Sequence, residues 1–390
     1  PSQSLRASQP QRSQDPRTFP FLDPPPADAL DHAEFLLQQL GILDESLAVT
    51  AVGERVLELP LHPRLGRLVV ACEERGLGEL GSLAAAVLSE RDVRTVGRLS
   101  LGASAQAAVA PDLSDVWDRV ERLTDARRAG LSSKALRQRG LDPRASRAAL
   151  KAAKGIDGAR RRSRRTESLQ VERKGHDPGH DPGHDPGHDP DLRSSLLEAV
   201  LLAFPDSVGR RRRRGEDEVV FARGGSGKVA PTSVVKEPEF LVVVDADGRR
   251  GRGVKIRAAS AIEPEWLLGH FPDRIRETRE VVFREEREGV EVVEQLLYED
   301  LVLDEETRSD LTGEDVSAVL SQTIWDRELR GLCQGDDLEN WRARIALAAE
   351  HIEGLEPLDD TALRAALDKL CIGARSIDDL RQRGGLEGMV

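Results

Sequence analysis

An α+β multidomain fold is what this 390-residue sequence predicts: a winged-helix-like module and a helical bundle, then a small OB-like β-barrel and a mixed α/β C-terminal domain. Three observations lead there. Apolar residues recur at helical spacing through the first 150 residues. Beyond residue 215, short alternating segments are separated by Gly-containing turns. Between the two regions, the tetrapeptide Gly-His-Asp-Pro occurs four times from Gly175.

Residues 1–18 are rich in Ser, Gln, Arg and Pro and read as disordered, or as the remnant of an upstream domain. The winged-helix-like module occupies 19–60. Pro24, Pro25 and Pro26 make a rigid extended entry, because proline neither continues a helix nor donates to a sheet. Leu30, Ala33, Leu37 and Leu40 then recur as a helix that Gly41 stops. Leu43 to Val52 reads as extended, with Thr50 as N-cap of a helix carrying Val56, Leu57 and Leu59. Pro60 ends that helix, and Pro63 opens the next, whose first turn needs no N–H from it.

The helical bundle spans 61–155. Leu65, Leu68, Val69 and Cys72 form one apolar stripe, and Leu80, Leu83, Ala84, Val87 and Leu88 a second. Leu113, Val116, Val120 and Leu123 form a third, with Asp112 and Ser114 as caps. Residues 156–195 read as a linker, basic at Arg160–Ser168 and then turn-rich through the repeat. The barrel covers 196–262: a short helix at Leu196–Phe204, then strands at Glu218–Ala222, Phe240–Asp245 and Val254–Ala258. Gly224-Gly225, Asp247-Gly248 and Gly251 mark its turns.

The C-terminal domain covers 263–390. Its expected parts are a hairpin turned at Glu288-Gly289, a helix begun by a capping box at Thr312 and Asp315, a helix capped by Asn340, and a last helix capped by Asp360.

Composition narrows the function classes. No run of about 18 apolar residues exists, so no membrane span is expected. Cys72, Cys333 and Cys371 are isolated, which favours buried thiols in a reducing compartment over disulfides or a zinc site. The net charge is −12, yet residues 119–174 hold 18 Lys and Arg against 6 Asp and Glu. Such a balance disfavours indiscriminate adhesion to nucleic acid and leaves room for a focused phosphate-binding surface.

In order, FPFLDPPPADAL, LGILD, TAVGERVLELPLHPRLGRLVV and LSERD resemble the region that follows the motor domains of DEAH-box helicases. The resemblance is densest over Phe19–Asp92, weaker over Leu196–Asp273, and narrows to the HrpB-type branch. It implies a winged helix, a ratchet-like bundle and an oligonucleotide-binding barrel that close over a single strand leaving the motor. By this resemblance the whole protein is a cytoplasmic, ATP-dependent helicase moving 3′ to 5′. Its partners are single-stranded RNA or DNA and the motor domains, in cis or in trans. ATP and Mg²⁺ belong to those motor domains and no cofactor to this chain, which has neither a complete phosphate loop nor a DEAH tetrapeptide. The alternatives are a motor-less protein that binds single strands or regulates a helicase, and a protein-interaction scaffold.

Gly224-Gly225-Ser226-Gly227-Lys228-Val229 is half a phosphate loop. Ala222 and Val229 stand where Gly and Ser/Thr are needed, so a turn between strands is the better reading. His176, His180, His184 and His188 are held apart by prolines and read as an expanded linker rather than a metal site. Candidate nucleic-acid contacts are Arg91, Arg94 and Arg98 after an apolar helix, and Arg160, Arg161 and Arg162 in the basic run. On the barrel they are Arg223, Lys228, Arg252, Lys255 and Arg257. Arg210–Arg214 is a further basic run, with solvated charge as its simpler reading. His62 reads as a structural residue at a bend, and no catalytic constellation emerges.

Overall fold

The computed structural model describes residues 16–95, 111–172, 190–249, 252–329, 332, 337–352 and 359–385. The chain divides into two compact units, Pro1–Pro272 and Asp273–Val390.

The first unit begins with α1 (Ala27–Gln39), which follows the triple proline and ends where Gly41 turns through φ +67°. A tight hairpin comes next, in which Leu43 pairs with Val49 and Asp44 accepts hydrogen bonds from the Ser46 and Ala48 N–H groups. Thr50 caps α2 (Ala51–Leu57), its hydroxyl accepting from Gly53 N–H at 3.0 Å. Gly53 sits so close to the hairpin that a Cβ there would lie 2.3 Å from the Ile42 carbonyl oxygen. Pro63 opens α3 (Pro63–Glu74), with His62 as its cap, in keeping with a bend residue.

α3 packs against α4 (Gly78–Ser89), where Gly81 admits Cys72. Ser114 caps α5 (Asp115–Arg128), while Asp112 instead bridges to Val235 of the barrel. α6 (Ser133–Gln138) and α7 (Pro143–Glu172) complete this layer, α7 lying against α4, and α8 (Pro190–Ala203) lies against α3.

Helix α7 corrects the expected linker start. Residues 156–172 continue a helix of 30 residues. Arginine is a good helix former, and Asp157 pairs with Arg160 and Arg161 one turn on, so a basic run here favours a helix. The four histidines of the repeat lie outside the described residues.

The barrel has five strands: β1 (Val208–Arg211), β2 (Glu218–Phe221), β3 (Ser226–Val229), β4 (Phe240–Arg249) and β5 (Arg252–Ala261). They close in the order β1-β2-β3-β5-β4, with β4 returning to β1. Only β3 and β5 run parallel. Val219, Val229, Leu241, Val243 and Ile256 fill the interior. Two strands were not expected. β1 lies in the run read as solvated charge, because Arg211 turns inward and donates to the carbonyls of Pro238, Val235 and Glu216. β3 lies in the half phosphate loop: Gly224 and Gly225 make the turn with positive φ, and Ser226 begins the strand. α9 (Pro264–His270) belongs to this first unit, ten residues past the barrel end expected at 262.

The second unit is an antiparallel sheet, β6 (Ile275–Arg284), β7 (Gly289–Tyr298) and β8 (Leu301–Arg308), covered by four helices. The hairpin turns at Glu288, φ +46°, as expected, but a second turn at Glu299, φ +54°, divides the segment read as one strand. In α10 (Glu314–Asp326) the capping box does not form: Gly313 is the cap, and the Asp315 carboxylate is taken by Arg279. α11 (Asp337–Ala349) starts three residues before Asn340. Asp359, not Asp360, caps α12 (Asp360–Cys371), and α13 (Ile377–Gln382) follows it. Val290, Val292, Leu320, Ile324, Leu363 and Leu367 form this unit's core.

Candidate nucleic-acid interface

Strand alternation builds the surface. Along β3, Gly227 and Val229 face the barrel interior while Ser226 and Lys228 face out. Along β5, Ile256 is buried between exposed Lys255 and Arg257. The parallel register sets Lys228 directly beside Lys255. Neighbouring registers extend the row: Glu218 on β2 stands opposite Lys228, and Asp247 on β4 stands opposite Lys255. Charges therefore run minus, plus, plus, minus across four adjacent strands.

Two like charges directly opposite on paired strands disfavour the sheet. Neither Lys228 nor Lys255 forms an ion pair among the described residues, whereas Glu218 pairs with Arg212 at 3.4 Å. Both lysines line a groove of about 520 Å³ with Asp217, Glu218, Ser226 and Val254. Its chemistry is that of an anion seat: two ammonium groups carried by residues whose backbones lie about one strand spacing, ~5 Å, apart.

The bundle is fixed to this barrel through a fully buried carboxylate. Asp115, the first residue of α5, accepts from Ser233 Oγ at 2.6 Å, Val234 N–H at 3.1 Å and Ala259 N–H at 3.0 Å. Arg94 adds a bond at 3.0 Å and also holds Asp92. Burial alone would lower the Arg94 guanidinium, but Asp92 and Asp115 hold it above its usual value. Beside Asp115, the Ser114 and Ser260 hydroxyls meet at 2.6 Å. A second tie joins the first turn of α3 to the barrel entrance: Arg64 forks onto Asp206 at 2.6 and 2.8 Å. Burial would raise the Asp206 carboxyl, yet this fork keeps it below the ordinary carboxylate range.

The other candidates fall into three groups. Arg94 and Arg160 are interior ion-pair partners: Arg160 binds Glu73 at 2.6 Å and Asp157 at 2.8 Å, with its side chain 9% exposed. Neither is a surface phosphate contact, because burial and carboxylate partners already occupy its charge. Arg161 is exposed but paired with Asp157 and Glu79, Arg257 is paired with Asp245 at 2.9 Å, and Arg223 lies over the Phe35 ring at 4.3 Å. Arg91 and Arg162 are exposed, Arg252 opens β5, and Arg98 lies outside the described residues.

Sequence reasoning named both lysines but not their adjacency, since a parallel β3–β5 pairing leaves no local signature. It did not name Glu218 or Asp247 as neighbours of that couple, although alternation from buried Val219 puts Glu218 on the outer surface. Among the described residues no group of His, Cys, Asp and Glu is arranged to hold a metal, and no helix is long and apolar enough to cross a membrane.

In the first unit a winged-helix-like start, a helical bundle and a closed barrel follow one another. Residues 33–61 match the helicase associated domain (HA2), winged-helix, family. Two relatives match shorter stretches of the chain. The mouse protein described as probable ATP-dependent RNA helicase DHX34 is 40% identical over 75 residues, 19% of this chain and 6% of its own. The chicken ATP-dependent RNA helicase DHX30 is 41% identical over 49 residues, 13% of this chain and 4% of its own. A crystal structure of the E. coli DExH-box NTPase HrpB aligns over 96% of this chain and 40% of its own, at 19% identity and a TM-score of 0.46. The chain thus spans well under two thirds of the length of any of these proteins.

Proposed function

We propose that this chain is the accessory C-terminal region of an HrpB-type DEAH-box helicase, guiding a single nucleic-acid strand during 3′ to 5′ unwinding in the cytoplasm. The observation that carries the reading is the unpaired, in-register lysine couple on the outer face of a closed barrel. The helicase-associated match at 33–61 and the resemblance along Phe19–Asp92 support the helicase context. In this account the motor domains supply ATP and Mg²⁺ chemistry, in cis or in trans, and this region supplies grip. With three Trp, Tyr or Phe per hundred residues, stacking platforms are scarce, so grip is mainly electrostatic.

The test is a titration of a labelled 12-nucleotide single strand, RNA and DNA in parallel, at 50 and 200 mM salt. The reading expects binding that weakens steeply with salt, and expects Lys228→Gln/Lys255→Gln to reduce the log–log slope by about 1.4, the contribution of two phosphates. Absence of binding at either salt concentration contradicts the reading and favours a protein-interaction scaffold.

A further inference from the structure

We infer that the carboxylates flanking the lysine couple, Asp217 and Glu218, make this barrel face selective for single strands by rejecting the second backbone of a duplex. The inference rests on the nucleic-acid reading above and concerns which nucleic acid the groove admits.

The lysine strip is bounded on both sides. Glu218 is the cross-strand neighbour of Lys228, about one strand spacing, ~5 Å, from it. Asp217 precedes it on the same wall of the groove and is exposed. Beyond Lys255 the row ends on exposed Asp247. The positive strip is therefore two residues wide, with negative charge on both sides.

A single strand has one row of phosphates to lay on such a strip. Its bases are neutral, and exocyclic amino groups of C, A or G can donate to a carboxylate. A duplex has two rows, set apart by a groove of about 6 to 12 Å. With one row on the lysines, the other comes within a Debye length, about 8 Å, of carboxylates on one side or the other. Like-charge juxtaposition is how an interface excludes a wrong partner, and here a single strand meets it from one phosphate row whereas a duplex meets it from two.

Asp217 lies near the buried Arg211 and helps to hold its charge, while Glu218 has a lesser structural role. The only ion pair that the described residues give Glu218 is the exposed one with Arg212, and Asp217 takes part in the sheet through its backbone carbonyl, which accepts from Val229 N–H at 2.8 Å. The strand pairing itself runs through backbone groups, so melting of the variant separates any loss of support for Arg211 from a change in binding.

The experiment compares the full chain with Asp217→Asn/Glu218→Gln, using a fluorescein-labelled 12-nucleotide single strand and a blunt 12-base-pair duplex of matched sequence, by anisotropy at 50 mM salt. Circular dichroism melting verifies that the variant is folded. The expected result is a wild type that prefers the single strand, and a variant whose duplex affinity rises about five-fold while single-strand affinity changes less than about two-fold. Equal gains for both ligands, or no gain for the duplex, overturn the inference and leave the nucleic-acid reading standing. A wild type that binds neither ligand overturns both.

Discussion

Asp115 shows how much a single side chain does in this molecule. Its carboxylate is inaccessible to solvent and satisfies two backbone donors, a serine and an arginine, so helix α5 cannot shift against the barrel without breaking the three bonds to Ser233, Val234 and Ala259. Asp115→Ala strands Ser233, two N–H groups and half the compensation of Arg94. The expected loss is about 3 to 5 kcal/mol in a urea titration. Cys72 gives a second residue-scale prediction. Burial pushes its thiol up to about 12, against a thiol near 9 in the unfolded chain. A raised folded value means the native state keeps a proton that the unfolded state releases. Stability from this group is therefore complete below pH 9 and lost as pH rises from 9 towards 12. At pH 10.5 the loss is about 2 kcal/mol relative to pH 8, and Cys72→Ala abolishes that difference. Native protein should also leave Cys72 unalkylated at pH 8.

Elements differ in how openly their sequence declares them. Gly53→Ala tests the tightest contact between elements in the winged-helix region. With a Cβ 2.3 Å from the Ile42 carbonyl, α2 must move off the hairpin, and a loss of about 1 to 3 kcal/mol is expected by thermal melting. That hairpin–helix unit was legible because its instructions are local: Gly41 needs its positive φ, Thr50 bonds three residues on, and Pro63 suits a first turn. The boundaries that sequence reasoning misplaced depend on distant partners. Arg279 reaches from β6 to take Asp315 out of its capping box, and Glu73 and Asp157 draw Arg160 inward, turning an apparent linker into helix α7. β1 was hidden because its Arg211 is a buried donor to three carbonyls, which a charge run does not announce. The candidate site divides in the same way. Single lysines could be named, but their pairing arises from a parallel register between residues 27 apart in the chain, Lys228 and Lys255.

At the scale of the whole molecule, an acidic chain carries a narrow positive strip on a barrel locked to a helical bundle. Overall charge of −12 opposes any polyanion, so binding has to come from a local seat and must be sensitive to salt. Losing the Lys228–Lys255 couple should lower single-strand affinity at 50 mM salt about ten-fold, whereas Arg160→Ala should lower stability with little effect on affinity measured on folded protein. The most direct test is the salt-dependent single-strand titration of the full chain beside its Lys228→Gln/Lys255→Gln variant. The account predicts steep salt dependence in the wild type and a shallower slope, with weaker binding, in the variant. Identical curves for the two proteins, or no binding by either, would contradict it.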